Sequence, residues 1–240
     1  MDTQHSPKYK PELAKYCDHT VLKAYTKREA VADFCDEAIL YKAASVCVNP
    51  CHVAFVKEKL NGTGVKTCTV IGFPLGAATT AVKAFEAADA VENGADELDM
   101  VINVGALRDG DTEAVYEDIL GVVRVACGKA LVKVIVETCY LTEDELAAVC
   151  RLCEKAGADY VKTSSGFGTR GASLEDLAIM QRTVGDTMKI KASTGILTQE
   201  DAVTMVEAGA SRLGLSTLLR VIEGDDSLPT ASTRNIVPKG

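Results

Sequence analysis

The chain is poor in histidine, in net positive charge and in long apolar runs. Of its 240 residues only His5, His19 and His52 are histidines, and none has metal-ligand spacing. That counts against a sugar-phosphate epimerase or similar enzyme built on a histidine-held metal. Lys and Arg total 26 against 34 Asp and Glu, a formal charge of −8, so neither nucleic acid nor an anionic membrane is expected as the main partner. No apolar run reaches the roughly 18 residues that span a bilayer. The polar start from Met1 to Lys10, with Pro7, does not read as a signal peptide. There is no G-x-G-x-x-G and no P-loop, so nucleotide binding lacks its best sequence support.

Cysteine, by contrast, is plentiful at nine residues. Cys47, Cys68, Cys127 and Cys139 sit in apolar patterns, where a free thiol acts as a small hydrophobe. Cys150-x-x-Cys153 has no second pair, and Cys47, Cys51 and His52 lack a fourth ligand, so no metal site is expected. A reducing cytosol is the expected setting. An apolar content of 47% and a charged content of 25% are those of a globular chain with a substantial core.

Eight short apolar runs, near 16–22, 45–48, 66–71, 97–102, 131–137, 160–164, 189–193 and 212–216, alternate with amphipathic stretches. The latter include Thr79 to Glu92, Asp111 to Val125, Glu143 to Lys155 and Gln199 to Glu207. Thr142 with Glu145 reads as a capping box. A weak repeat (Asn93-Gly94-Ala95-Asp96, Ala156-Gly157-Ala158-Asp159, Ala208-Gly209-Ala210-Ser211) ends helices and opens strands. Its Gly suits a left-handed helix cap, and Ala43-Ala44-Ser45 looks like a degenerate copy. The pattern predicts a single-domain α/β fold over 1–240, a (β/α)8 TIM barrel. A short helical extension over about 1–15 would cover the barrel bottom, and a flexible tail would follow from about 225. A doubly wound open sheet is the alternative.

Three strands carry charge amid apolar neighbours. Asp99 is Gly94 plus five and Lys162 is Gly157 plus five, while Lys191 alternates with Ile190 and Ala192. Equivalent positions face the same way, which predicts that Asp99, Lys162 and Lys191 meet at the barrel mouth. A second Lys nearby disfavours the protonated form of the first, and a neutral amine attacks a carbonyl to form a Schiff base. The protonated imine is an electron sink that permits carbon–carbon cleavage without a metal or cofactor. Proton transfer suits a carboxylate such as Asp99. The loops Ser164-Ser165-Gly166-Phe167-Gly168, Ser193-Thr194-Gly195 and Gly214-Leu215-Ser216-Thr217 follow the last three strands and suit a phosphate.

Together these residues resemble the deoxyribose-phosphate aldolases, a class I aldolase family with a (β/α)8 barrel. The resemblance runs from about Tyr16 to Gly224. It is carried by Asp18-His19-Thr20, Ser45-Val46-Cys47-Val48-Asn49-Pro50, Val70-Ile71-Gly72-Phe73-Pro74-Leu75-Gly76 and Gly94 to Asn103. Lys133 to Thr138, Gly157 to Ser164 and Gly209 to Arg212 complete it. It implies that Lys162 forms the Schiff base, that Lys191 tunes it and moves protons, and that Asp99 is the acid/base group. It also implies that Cys47 lines the substrate pocket and that Gly166, Gly195, Gly214 and Ser216 surround a phosphate. The implied reaction is reversible cleavage of 2-deoxy-D-ribose 5-phosphate to acetaldehyde and D-glyceraldehyde 3-phosphate, in deoxyribonucleotide breakdown. A homodimer or homotetramer is implied as well.

Three features depart from the family pattern. Thr194 stands where a Gly is common, and Leu197 stands where an Arg is common, with Arg170 a replacement source of charge. The tail ends Val237-Pro238-Lys239-Gly240 rather than in the Tyr of some members. These leave two alternatives: a Schiff-base aldolase for another or unphosphorylated aldehyde, and a non-catalytic sugar-phosphate-binding barrel.

Overall fold

The computed structural model describes residues 8–230; the expected tail beyond 230 and the start before residue 8 lie outside them. Eight strands are present: β1 (Cys17–Val21), β2 (Ser45–Val48), β3 (Lys66–Ile71), β4 (Glu97–Val101), β5 (Leu131–Ile135), β6 (Tyr160–Lys162), β7 (Lys189–Ser193) and β8 (Arg212–Leu215). Each pairs in parallel with its sequence neighbours, and β8 returns to β1 to close the barrel. The helices are α1 (Arg28–Tyr41), α2 (Val53–Leu60), α3 (Thr80–Glu92), α4 (Val104–Arg108), α5 (Thr112–Ala126), α6 (Glu143–Ala156), α7 (Leu174–Val184), α8 (Gln199–Glu207) and α9 (Leu218–Glu223). This is the expected (β/α)8 barrel. Among the described residues, no helix is long and apolar enough to cross a membrane.

Local chemistry sets the boundaries. The Thr142–Glu145 capping box opens α6, and Gly157 closes it at φ 80°. Gly94 and Gly209 also have positive φ, at 100° and 102°. Where the repeat lacks its Gly, Lys42 adopts the left-handed cap at φ 57° after α1. The extension is a 3-10 turn, Pro11–Tyr16, with Leu13 and Ala14 buried. The Ala14 carbonyl accepts from the Ala44 N–H just before β2, which seats the turn at the N-terminal ends of the strands.

Alternation along the strands divides the molecule into two interiors. Val46, Val48, Leu98, Met100, Val132, Val134, Val161, Ile190, Ala192 and Leu213 join one apolar core packed under the helices. The intervening residues point into the barrel. There Cys47, Cys68 and Val70 form a small separate cluster, and the remaining positions are mostly polar or charged. The principal hydrophobic core therefore lies outside the barrel, between sheet and helices.

One buried ion pair belongs to that outer layer. Lys83 of α3 donates to Asp118 of α5 at 2.5 Å and to the Val101 carbonyl at the end of β4 at 2.8 Å. Burial draws Lys83 below its ordinary range and pushes Asp118 above its own. Removing one partner leaves an unpaired charge in a dry environment. Asp118→Ala is expected to cost about 3–5 kcal/mol in urea unfolding; a loss below about 1 kcal/mol, the range of a solvated pair, would contradict this.

Candidate active site

Asp99 sits on β4 with Leu98 and Met100 packed outward, so its carboxylate faces the barrel interior. Lys162 and Lys191, from β6 and β7, both donate to Asp99 Oδ2 at 2.6 Å. The two nitrogens therefore lie no more than twice 2.6 Å apart. The convergence expected from the Gly-plus-five register is present. Lys162 and Lys191 are also Cα partners in the sheet, which places their side chains side by side.

The cluster is larger than the sequence reading anticipated. Lys133 of β5 reaches Asp99 Oδ1 at 2.8 Å, Glu97 at 2.6 Å and Asp18 at 3.7 Å. Asp18 of β1 accepts from Lys191 at 2.5 Å, from Arg212 at 2.6 Å and from the Ser45 hydroxyl at 2.6 Å. Arg212 of β8 also holds Glu97 at 2.9 Å. Among the described residues, four cations thus face three carboxylates inside the barrel.

Burial opposes the charges of Asp18, Asp99, Lys133, Lys191 and Arg212, and their partners overcome it. Asp99 is held well below the carboxylate range by Lys133, Lys162 and Lys191, and Asp18 below it by Lys191, Lys133 and Arg212. Lys191 is held above its ordinary range chiefly by Asp18 and Asp99, and Lys133 chiefly by Asp99. Lys162 differs in two respects. It contacts one carboxylate, where Lys191 contacts two and Lys133 three. It is also the last residue of its strand and the one of the three lysines with measurable exposure, 3%.

Cys47 and Cys68 flank the cluster as register partners on β2 and β3. Cys68 donates to Asp99 Oδ1 at 3.3 Å and accepts from Lys133 at 3.4 Å. The neighbouring Cys68 thiol lowers the Cys47 thiol, against burial and with help from Lys191 and Lys162, while burial raises Cys68. Cys47, Cys68 and Asp99 have ligand atoms within 4.8 Å of one another, as do Asp18, Cys68 and Glu97. The Lys133 ammonium already contacts Cys68 and Asp99 of the first grouping and all three members of the second, so this donor set suits a cation network rather than a metal ion.

Beside this cluster lies a cavity of about 210 Å³ that includes Gly166, Gly195, Gly214 and Ser216 in its lining. All four predicted phosphate-site positions therefore share one space. Gly166 and Gly195 have left-handed backbones, at φ 91° and 85°. Gly214 has a steric reason to lack a side chain: a Cβ there would lie 2.2 Å from Ser193 Oγ and 3.1 Å from Lys191 Cε. It places the cavity wall directly against Ser193 and Lys191. The buried Ser193 hydroxyl at this junction has no protein hydrogen-bond partner. A larger cavity of about 530 Å³ includes Lys66, Asp96, Lys129 and Asp159, at the opposite end of the barrel.

Two of the three departures noted in the sequence have a structural account; the third, the C-terminal end, lies outside the described residues. Thr194 adopts φ 70°, left-handed backbone that disfavours a β-branched residue by roughly 1–3 kcal/mol. Leu197 lines the cavity with its side chain largely exposed and contributes no charge. Arg170 does not replace it, because both of its terminal nitrogens grip Asp176 of α7. Glu137 was not singled out in the sequence. It follows β5 at a left-handed φ of 54°, buried, and accepts from both the Ser165 N–H and the Ser165 hydroxyl. It thereby fixes the loop after Lys162.

The depressed carboxylates contribute stability that is fully present above about pH 4, their unfolded range, and is lost as pH falls through their folded values. The raised lysines contribute stability present below about pH 10 and lost as pH rises through theirs. Asp99→Asn is therefore expected to show a constant stability deficit from about pH 5 to 9 that closes on acidification below about pH 4. Urea midpoints across pH measure this, and a deficit that widens in acid would contradict it.

Comparison with known proteins agrees with the geometry. The model of the DeoC/LacD family aldolases matches residues 13–223. The chain is 57% identical over 213 residues to a deoxyribose-phosphate aldolase of Bacillus cereus (strain AH820), covering 89% of this chain and 96% of the relative. The corresponding protein of Bacillus mycoides (strain KBAB4) is 56% identical over the same shares. Among solved structures, the deoxyribose phosphate aldolase of Aeropyrum pernix, described as tetrameric, superposes with a TM-score of 0.85 at 36% identity. It covers 92% of this chain and 94% of that one. With its closed barrel and its pair of lysines on one aspartate, the chain belongs to the DeoC/LacD aldolase family.

Proposed function

We propose that the protein is a class I carbon–carbon lyase that cleaves 2-deoxy-D-ribose 5-phosphate reversibly to acetaldehyde and D-glyceraldehyde 3-phosphate. The observation that carries this reading is the sharing of Asp99 Oδ2 by Lys162 and Lys191 next to the glycine-lined cavity.

With every group charged, the interior holds four cations against three anions. Lys162 makes a single carboxylate contact and lies nearest the mouth, which makes it the amine best placed to meet a carbonyl. The free amine attacks the C1 aldehyde of the open-chain sugar and expels water, forming a protonated imine. The imine draws electrons from the C2–C3 bond. The C3 hydroxyl loses its proton as that bond breaks, releasing the three-carbon aldehyde phosphate and leaving an enamine. Protonation at C2 and hydrolysis release acetaldehyde and restore the amine. Asp99 Oδ2, 2.6 Å from each nitrogen, links Lys162 to Lys191 and gives protons a short path. Gly166, Gly195 and Ser216 surround the phosphate, and Cys47 lines the barrel interior next to the lysines.

The buried free thiols suit a reducing, cytoplasmic setting. Leu75 and Phe85, 77% and 74% exposed on the β3–α3 segment, suit contact with a second copy in a homodimer or homotetramer. A second reading, an aldolase for an unphosphorylated aldehyde, has in its favour the uncharged Leu197 on the cavity wall.

Aldehyde release from 2-deoxy-D-ribose 5-phosphate tests the proposal. Lys162→Met is expected to abolish it while the fold is retained. Lys191→Met removes the neighbouring cation, so the pH–rate profile is expected to move to higher pH with turnover reduced about 10²–10⁴-fold. An active Lys162→Met protein, or an unmoved profile in the second variant, would refute the assigned roles.

A further inference from the structure

Among the described residues that line the cavity next to the lysines, Lys23 alone is cationic. It lies in the turn after β1, half-buried, and forms no ion pair among the described residues. Its Nζ stands 5.2 Å from the centroid of the Phe167 ring. That ring is itself braced edge-on against Phe73 at 5.4 Å. The aromatic face thus holds the ammonium at the cavity rim without neutralising it. Other basic groups nearby are committed: Arg170 to Asp176, Arg212 to Asp18 and Glu97, and Lys133 and Lys191 to the interior carboxylates. At the inner end of the cavity Gly214 packs against Lys191. An anion at the rim and a carbonyl near the lysines would then belong to one extended ligand.

We infer that Lys23 is the specificity-determining cation for the substrate's phosphate monoester, an inference that rests on the aldolase reading above. The backbone of Gly166 and Gly195 shapes the space for the phosphate, and Lys23 supplies the full positive charge that the cavity otherwise lacks. Preference for a phosphorylated over an unphosphorylated sugar then depends on this one side chain.

Lys23→Met and Lys23→Arg in the full chain test this. The readouts are kcat/KM for 2-deoxy-D-ribose 5-phosphate and for 2-deoxy-D-ribose, and calorimetric binding of inorganic phosphate. The Met variant is expected to lower the ratio of the two kcat/KM values by about tenfold or more, the loss of one charge-assisted contact, and to weaken phosphate binding similarly. The Arg variant is expected to restore most of both. An unchanged ratio, an equal fall for both sugars, or a wild-type protein without preference for the phosphorylated sugar would overturn the assignment while leaving the lysine chemistry intact. If wild type cleaves neither sugar, the aldolase reading fails instead. Phosphate binding lost in the Met variant and kept in the Arg variant then still supports Lys23, and binding unaffected by both refutes it.

Discussion

Three ammonium groups converge on the carboxylate of Asp99, and the rest of the barrel is arranged around that fact. A charge inside a protein is costly unless it is paired and hydrogen-bonded. Here the pairing spans strands that are not neighbours, β4 with β7 and β1 with β5, so it crosses the interior. A barrel filled this way gives up the stacked aliphatic layers common in such folds. The apolar burial is moved to the outer shell, where alternate strand residues pack under the helices. Stability and chemistry thus come from opposite faces of the same strands.

The proposed mechanism needs one reactive lysine among the three that meet Asp99. Lys133, Lys191 and Arg212 bridge carboxylates in the lower and middle parts of the barrel, fully or almost fully buried. Lys162 stands at the end of β6, held by one oxygen and facing the mouth. The same strand end leads into the loop pinned by Glu137, so the position of the amine and the shape of the cavity are set by one short segment. Strain concentrates here: Glu137 and Thr194 both take left-handed backbone without being glycine. Such strain persists where surrounding contacts fix it, a common feature of functional sites.

Much of this was legible in the sequence. The eight runs and the Gly-Ala-Asp turns were enough for the barrel, because alternation and helix caps are local properties. The count of five from Gly94 and Gly157 placed Asp99 and Lys162 on one face. The same count from Gly128 leads to Lys133, which was passed over although the signal was present. Arg212 at Gly209 plus three and Glu97 at Gly94 plus three lie on the same face and were passed over too, while Asp18 follows no helix-ending Gly from which to count. Arg170 illustrates the converse: it was a candidate to replace the charge missing at Leu197, but Asp176, six residues on, takes its guanidinium. Glu137 was invisible because its role depends on a backbone conformation that its residue type disfavours.

The central claim is that unequal pairing singles out one amine among three that share the same carboxylate. Treating the protein with acetaldehyde and borohydride, then mapping the modified peptides, tests it most directly. The account requires the reduced adduct on Lys162, with Lys133 and Lys191 unmodified. Comparable labelling of Lys191 or Lys133, or no labelling of Lys162 in folded protein, would contradict it.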